Sequence, residues 1–211
     1  MQQPVSDAVA LPAYGARLGE ALAFACVAHA TQLRKGKTEP YVSHILMVAA
    51  LTAHYGGDEE QVMAAALHDV VEDQGGEPVA LEIGRRFGPR VEAIVRDCSD
   101  SFSEPVVPKA PWRERKESFL ASLGGPDVNG SRLVEACDKL ANLRDIVEDV
   151  RVHGDAAFAH FRGGRDGTLW YYRQLASALL PQVPQVQAAY ERELAELWVV
   201  ADVSGADGDQ G

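Results

Sequence analysis

His68-Asp69-Val70-Val71-Glu72-Asp73 closes an otherwise apolar run, Val62 to Leu67, with one imidazole and three carboxylates. Burying carboxylates in such a setting is costly unless they are paired or coordinate a cation. In a continuous helix His68 lies beneath Glu72, and Asp69 beneath Asp73, each pair at i and i+4. His68 and Asp69 then reach one metal ion, with Glu72 and Asp73 on the same surface one turn further on. A metal needs more ligands than two. His44 ends the segment Pro40-Tyr41-Val42-Ser43-His44, and Asp138 lies on an amphipathic stretch whose polar face carries Asp138, Asn142 and Asp145. Two imidazoles and two carboxylates suit Mn²⁺, Fe²⁺ or Zn²⁺ better than a thiolate-loving ion. Such a set leaves coordination positions open for water and substrate, as a catalytic site requires.

Each signal alone has an ordinary explanation. A His-Asp pair arises by chance, a lone His44 reads as a satisfied structural residue, and Asp138 suits a solvated ion pair. The apolar run before His68, the Glu72-Asp73 pair and the separate Asp138 segment favour chemistry together, because solvated residues need no such setting.

The elements that must position these groups are helical. Apolar residues at helical spacing predict helices over about 16–33, 44–55, 58–71, 79–87, a start after Pro89, 112–123, 132–150, 169–180 and 183–199. Leu18, Leu22, Ala25, Cys26 and Gln32 mark the buried side of the first. Gly56 and Gly57 end the second, and Asp58 is placed to cap the third. The centre of that third helix is apolar nearly all round, as in the middle of a bundle. No segment shows strand alternation with hairpin turns. The expected fold is an all-α bundle, with room for one short β-hairpin in the Ser/Pro-rich loop at 99–111. Residues 1–14 read as a flexible arm, 15–200 as the folded domain, and 201–211 as a disordered tail.

The chain has 211 residues, enough for one sizeable core. Three widely spaced cysteines, with no CxxC pair, fit a reducing compartment. No signal-peptide pattern opens the sequence, and no apolar run is long enough to span a bilayer. The expectation is a cytoplasmic protein. A formal net charge of −11 argues against nucleic-acid and membrane partners. A small polyanionic substrate would need a local cationic patch and a metal.

In order, Arg34-Lys35, Pro40 to His44, Ala66 to Asp73, Arg86-Phe87-Gly88 and Ala136 to Asp145 resemble the HD hydrolase domain of the RelA/SpoT family. The likeness is greatest to the stand-alone small alarmone hydrolases and runs from about Leu18 to Leu180. It implies an all-helical HD fold and a Mn²⁺-dependent 3′-pyrophosphohydrolase that removes pyrophosphate from (p)ppGpp. It implies metal ligands at His44, His68, Asp69 and Asp138, the four suggested by spacing. It implies a catalytic pair, Glu72 and Asp73, that positions and deprotonates the attacking water. Arg34 and Lys35 match the basic pair beside the site, and Lys139, Asn142 and Arg144 match a motif bordering the nucleotide. The sequence departs from the family at Ser43, Ile45, Gln74 and Ala141. The last change, in place of a bulky residue, is expected to reshape the pocket near the base and leaves an adenine alarmone, (p)ppApp, open.

Other cations are candidates for phosphate neutralisation. Lys37 and Arg113 read as solvated charges, whereas Arg115 and Lys116 read as helix-surface charges with a phosphate contact in reach. His29 reads as structural, and Trp170, Tyr171 and Tyr172 as core aromatics, with stacking on a base as the alternative. Two competing functions remain: an HD phosphatase acting on NADPH or another nucleotide, and a non-catalytic nucleotide sensor. The intact Glu72-Asp73 pair argues against the sensor. The oligomeric state is not legible.

Overall fold

The computed structural model describes residues 14–99 and 110–207 of the chain, with side chains only through residue 202 in the last helix. Ten α-helices stand among the described residues: α1 (Ala16–Ala28), α2 (Val42–His54), α3 (Glu59–Leu67), α4 (Val70–Gln74), α5 (Glu77–Phe87), α6 (Pro89–Cys98), α7 (Trp112–Ser122), α8 (Ser131–His153), α9 (Gly164–Leu179) and α10 (Pro184–Asp207). Two 3-10 turns, Gly154–His160 and Leu180–Gln182, flank α9. The expected all-α architecture is present. The only β pairing among the described residues is a single antiparallel bridge, Leu33 to Pro40. The expected flexible arm falls almost wholly, and the hairpin loop largely, outside the described residues.

Helices α3 and α8 form the centre. Every residue from Val62 to Leu67 is buried, as the all-round apolar sequence requires. Helix α8 buries Leu133, Val134, Leu140, Leu143, Ile146, Val147 and Val150 along its length, and it packs against α2, α3, α6 and α10. Burial of this apolar surface is the main force holding the bundle together.

Helix ends follow local chemistry. Asp58 caps α3 by accepting from the Gln61 backbone at 2.9 Å, while Gln61 Oε1 accepts from the Asp58 backbone at 3.0 Å. Gly56 takes φ +85°, and a Cβ at Gly57 would meet the Thr52 carbonyl at 2.8 Å, so both glycines are required at this stop.

Four expectations need correction. Helix α1 ends at Ala28, not near Leu33. Its continuation is replaced by a closed loop in which Arg34 N donates to the Glu39 carbonyl and Tyr41 N to that of Gln32. Cys26, expected inside, is exposed on α1. The single helix expected over 58–71 is broken: α3 stops at Leu67 and α4 starts at Val70, with His68 and Asp69 forming the joint. Asp69 adopts φ −96°, ψ −7°, which turns the chain enough for both side chains to face one point. Helix α10 also continues to Asp207, into the segment read as a tail.

Candidate metal centre and catalytic pocket

Three helical segments meet at the joint. Helix α2 supplies His44 in its first turn, the α3–α4 joint supplies His68 and Asp69, and α8 supplies Asp138. His44 Nε2 lies 3.2 Å from Asp138 Oδ1 and 3.6 Å from Asp69 Oδ2. His68 Nε2 lies 2.9 Å from Asp69 Oδ2 and 3.5 Å from Asp138 Oδ1. Ligand atoms of His44, His68 and Asp69 all fall within 4.8 Å of one another.

The tautomer at His68 points to a cation. Its Nδ1 is 2.8 Å from the Ala65 carbonyl, an acceptor only, so Nδ1 carries a proton. Its Nε2 is fully buried and makes no hydrogen bond despite the nearby carboxylates. An imidazole oriented through Nδ1, with Nε2 facing two carboxylates, is the arrangement a metal-ligating histidine takes. The residues present therefore fit a divalent metal.

Electrostatics agree. Burial pushes the Asp69 and Asp138 carboxyls up, but the His68 charge beside Asp69 and the Lys139 ammonium beside Asp138 hold both well below the usual carboxylate range. Burial opposes charge on His68, and Asp69 overcomes it and raises the imidazole. Two ionised carboxylates in a buried place favour a positive charge between them, whether proton or metal.

Surrounding groups fix the carboxylates. Tyr41 donates to Asp69 Oδ2 at 2.5 Å. Asn142 donates to Asp138 Oδ1 at 2.6 Å, and Lys139 to Asp138 Oδ2 at 2.5 Å. His29, 1% exposed, stacks on Tyr41 at 4.9 Å between ring centroids and bonds Gln32 through Nδ1, the structural role expected of it. Gln32 Nε2 in turn donates to Asp73 Oδ2 at 2.7 Å.

The centre forms the floor of a pocket of about 600 Å³. Asp69, Glu72, Asp73, Asp138 and Asn142 line it, together with the cations Lys35, Arg115, Lys116, Lys139 and Arg162. Asp73 is raised from the usual carboxylate range, first by burial and then by the Asp69 and Glu72 charges, against a hydrogen bond from Gln32. Trp112, Phe161, Tyr171 and Tyr172 make an aromatic wall. Tyr171 and Tyr172 are each 6% exposed, so they serve core and pocket at once.

The remaining expected residues divide. Arg34 sits at the pocket's edge, donating to Asn142 Oδ1 at 2.9 Å and Asp145 Oδ2 at 2.6 Å. Lys37 pairs with Asp149 at 2.8 Å, and Arg113 lies over Trp170 and bonds Glu117. Arg144 is not brought to the pocket. Six residues past Asp138 on a helix of about 3.6 residues per turn, it projects from another face and meets Glu193 of α10 at 3.4 Å. Ala141 is buried and is not among the residues that line the catalytic pocket.

Two functional neighbours were missed in the sequence. Tyr41 was visible only as part of the segment before His44. Glu135, 1% exposed, stands 3.5 Å from Lys139 and is pushed up to about 7, chiefly by burial. A buried position one turn before Asp138 was its only signal.

Comparisons with known proteins agree with this geometry. Residues 21–169 match the HD domain family. The mouse (Mus musculus) guanosine-3′,5′-bis(diphosphate) 3′-pyrophosphohydrolase MESH1 is 36% identical over 134 residues, 62% of this chain and 70% of the relative. A guanosine-3′,5′-bis(diphosphate) 3′-pyrophosphohydrolase of Aquifex aeolicus is 40% identical over 135 residues, 64% of this chain but 18% of that protein. The solved structure of a metazoan orthologue of SpoT, described as hydrolysing ppGpp, superposes with a TM-score of 0.71 at 26% identity, covering 87% of this chain and 97% of the other. The chain belongs to the HD-domain family, in the group that holds the metazoan SpoT homologues.

Proposed function

We propose that this chain is a metal-dependent hydrolase that removes the 3′-pyrophosphate of (p)ppGpp or (p)ppApp. One observation carries the reading. Two imidazoles and two carboxylates converge at the floor of a pocket that also presents an acidic pair and five cations. The relatives named for the same reaction support the substrate class.

His44, His68, Asp69 and Asp138 would hold the ion, for which we assign Mn²⁺ ahead of Fe²⁺ and Zn²⁺. When bound, a divalent cation acidifies water and polarises a phosphoryl oxygen. Glu72 and Asp73 take the proton of the attacking water and orient its lone pair toward phosphorus. The raised Asp73 carboxyl suits a group that must gain and lose a proton. The water oxygen bonds to phosphorus, the P–O3′ bond breaks, and O3′ leaves to become a hydroxyl as pyrophosphate departs. Lys35, Lys139, Arg115 and Lys116 supply positive charge for the phosphates, and Arg34 braces Asn142. The catalytic unit we assign is residues 15–200, working in the cytoplasm on a small nucleotide.

A Mn²⁺-replete assay against ppGpp, pppGpp, ppApp and NADPH tests this. Release of pyrophosphate from an alarmone is expected. Orthophosphate from NADPH alone would replace the reading with the phosphatase, and tight binding without turnover would replace it with a sensor.

A further inference from the structure

A second cavity, about 850 Å³, opens between α6, α7 and the start of α8. It is larger than the catalytic pocket and shares one wall residue with it, Arg115. None of the four metal-centre residues lines it. Arg96, Arg115 and Arg132 face it, with the hydroxyl-bearing residues Ser118, Ser122 and Ser131 between them. Its wall also holds two carboxylates, Asp97 and Glu114, and Asp97 accepts from Asn129 at 3.1 Å. Arg96 is committed to Glu77 and Glu92.

Arg132 is the anomaly. It is 7% exposed, and its Nη2 donates to the Ser122 carbonyl at 3.0 Å. Its Nε is buried with no acceptor, and no ion pair joins it to a carboxylate among the described residues. Asp127 is near in sequence but otherwise engaged. It accepts from the backbone of Ser131 and Arg132 and from Ser131 Oγ, capping α8. A buried guanidinium without a counter-charge is costly, and buried charges are ordinarily paired. The 23-residue helix α8 adds the positive end of its dipole at the same place. Guanidinium forks beside hydroxyls match the donor pattern that phosphate oxygens accept.

We propose that this cavity is a second anion site, taking a phosphate-bearing small molecule with Arg132 as its anchor and the hydroxyl of Ser118 as a further donor. It stands on the geometry at the start of α8 and not on the reaction assigned to the metal centre.

Thermal melts of the full chain, with inorganic phosphate as the probe, test it. Saturating phosphate should raise the Tm of the unsubstituted protein by about 3 °C, since a ligand bound only to the folded state stabilises it. Arg132→Met should lose that rise and should melt higher than the unsubstituted protein in phosphate-free buffer, because the lone buried charge is gone. Ser118→Asp, at an exposed position, should also abolish the phosphate effect by bringing a carboxylate into the cavity. Lys139→Met, in the catalytic pocket, should keep it. The proposal fails if phosphate stabilises Arg132→Met and Ser118→Asp as much as the unsubstituted protein. It fails equally if Lys139→Met alone loses the effect, which would place the phosphate at the metal centre.

Discussion

The metal-centre residues and the candidate cations follow opposite rules. His44, His68, Asp69 and Asp138 come from three helical segments, yet their facing atoms approach within 2.9–3.6 Å. The cations divide: Lys35, Arg115, Lys116 and Lys139 line the pocket, and the others disperse. Arg34 is bonded to Asp145, Lys37 to Asp149, Arg144 to Glu193 and Arg113 to Glu117. On a chain with 31 acidic residues a surface arginine readily finds a carboxylate. A buried imidazole or carboxylate has no such easy partner, so its presence in an apolar run reports a specific neighbour.

Removing a member of the centre should therefore do the most damage. Asp138→Asn and Asp69→Asn should each lose bound metal and lower kcat/KM by about 1,000-fold, the scale on which a metal contributes. Metal content by mass spectrometry and turnover of ppGpp check this together. Retained metal in both variants would mean that the cluster is only a hydrogen-bonded network.

Glu72→Ala separates binding from chemistry. It should keep the metal and lower kcat by about 100-fold or more, as loss of a general base does. If Glu72→Ala and Asp69→Asn lose metal equally, the assigned division between ligands and water-activating pair is wrong. Tyr41→Phe should act more weakly. It removes the hydrogen bond to Asp69 Oδ2 and should lower metal affinity about 10-fold, as loss of an outer partner typically does. A titration of Mn²⁺ followed by electron paramagnetic resonance reads that change directly.

The same contrast explains what the sequence made legible. The all-α fold was readable because long amphipathic periods admit no strand. Of the four residues the fold brings together, His68 and Asp69 stood out because they close an apolar run, whereas His44 and Asp138 stood in ordinary polar settings. The break at His68-Asp69 was not, since the flanking residues Leu67 and Val70 are both apolar and carry no Gly or Pro. Its cause is tertiary: the joint lets two adjacent side chains face one centre. Tyr41 and Glu135 escaped because their partners are distant in sequence or depend on burial that no local pattern reveals. Arg132 was hidden for the same reason, since its burial depends on tertiary contacts. Arg144 failed differently. It lay within a recognised motif, and motif membership says nothing about which side of a helix a residue takes.

Arg144→Met should consequently have the smallest effect. The motif places this residue with Lys139 and Asn142 at the nucleotide, whereas the fold pairs it with Glu193 and leaves Lys139 and Asn142 at the pocket. The Arg144 side chain is 34% exposed, and a pair of that kind contributes about 0–1 kcal/mol. The substitution should therefore leave KM and kcat within about twofold and lower Tm by no more than about 4 °C. Lys139→Met, measured beside it, should raise the KM for ppGpp by about 10-fold or more, since it removes a charge-assisted contact to phosphate. A larger KM change for Arg144→Met than for Lys139→Met would mean that α8 turns in the substrate complex. The cation set would then converge on the nucleotide as the ligands converge on the metal, and the contrast between the two groups would vanish.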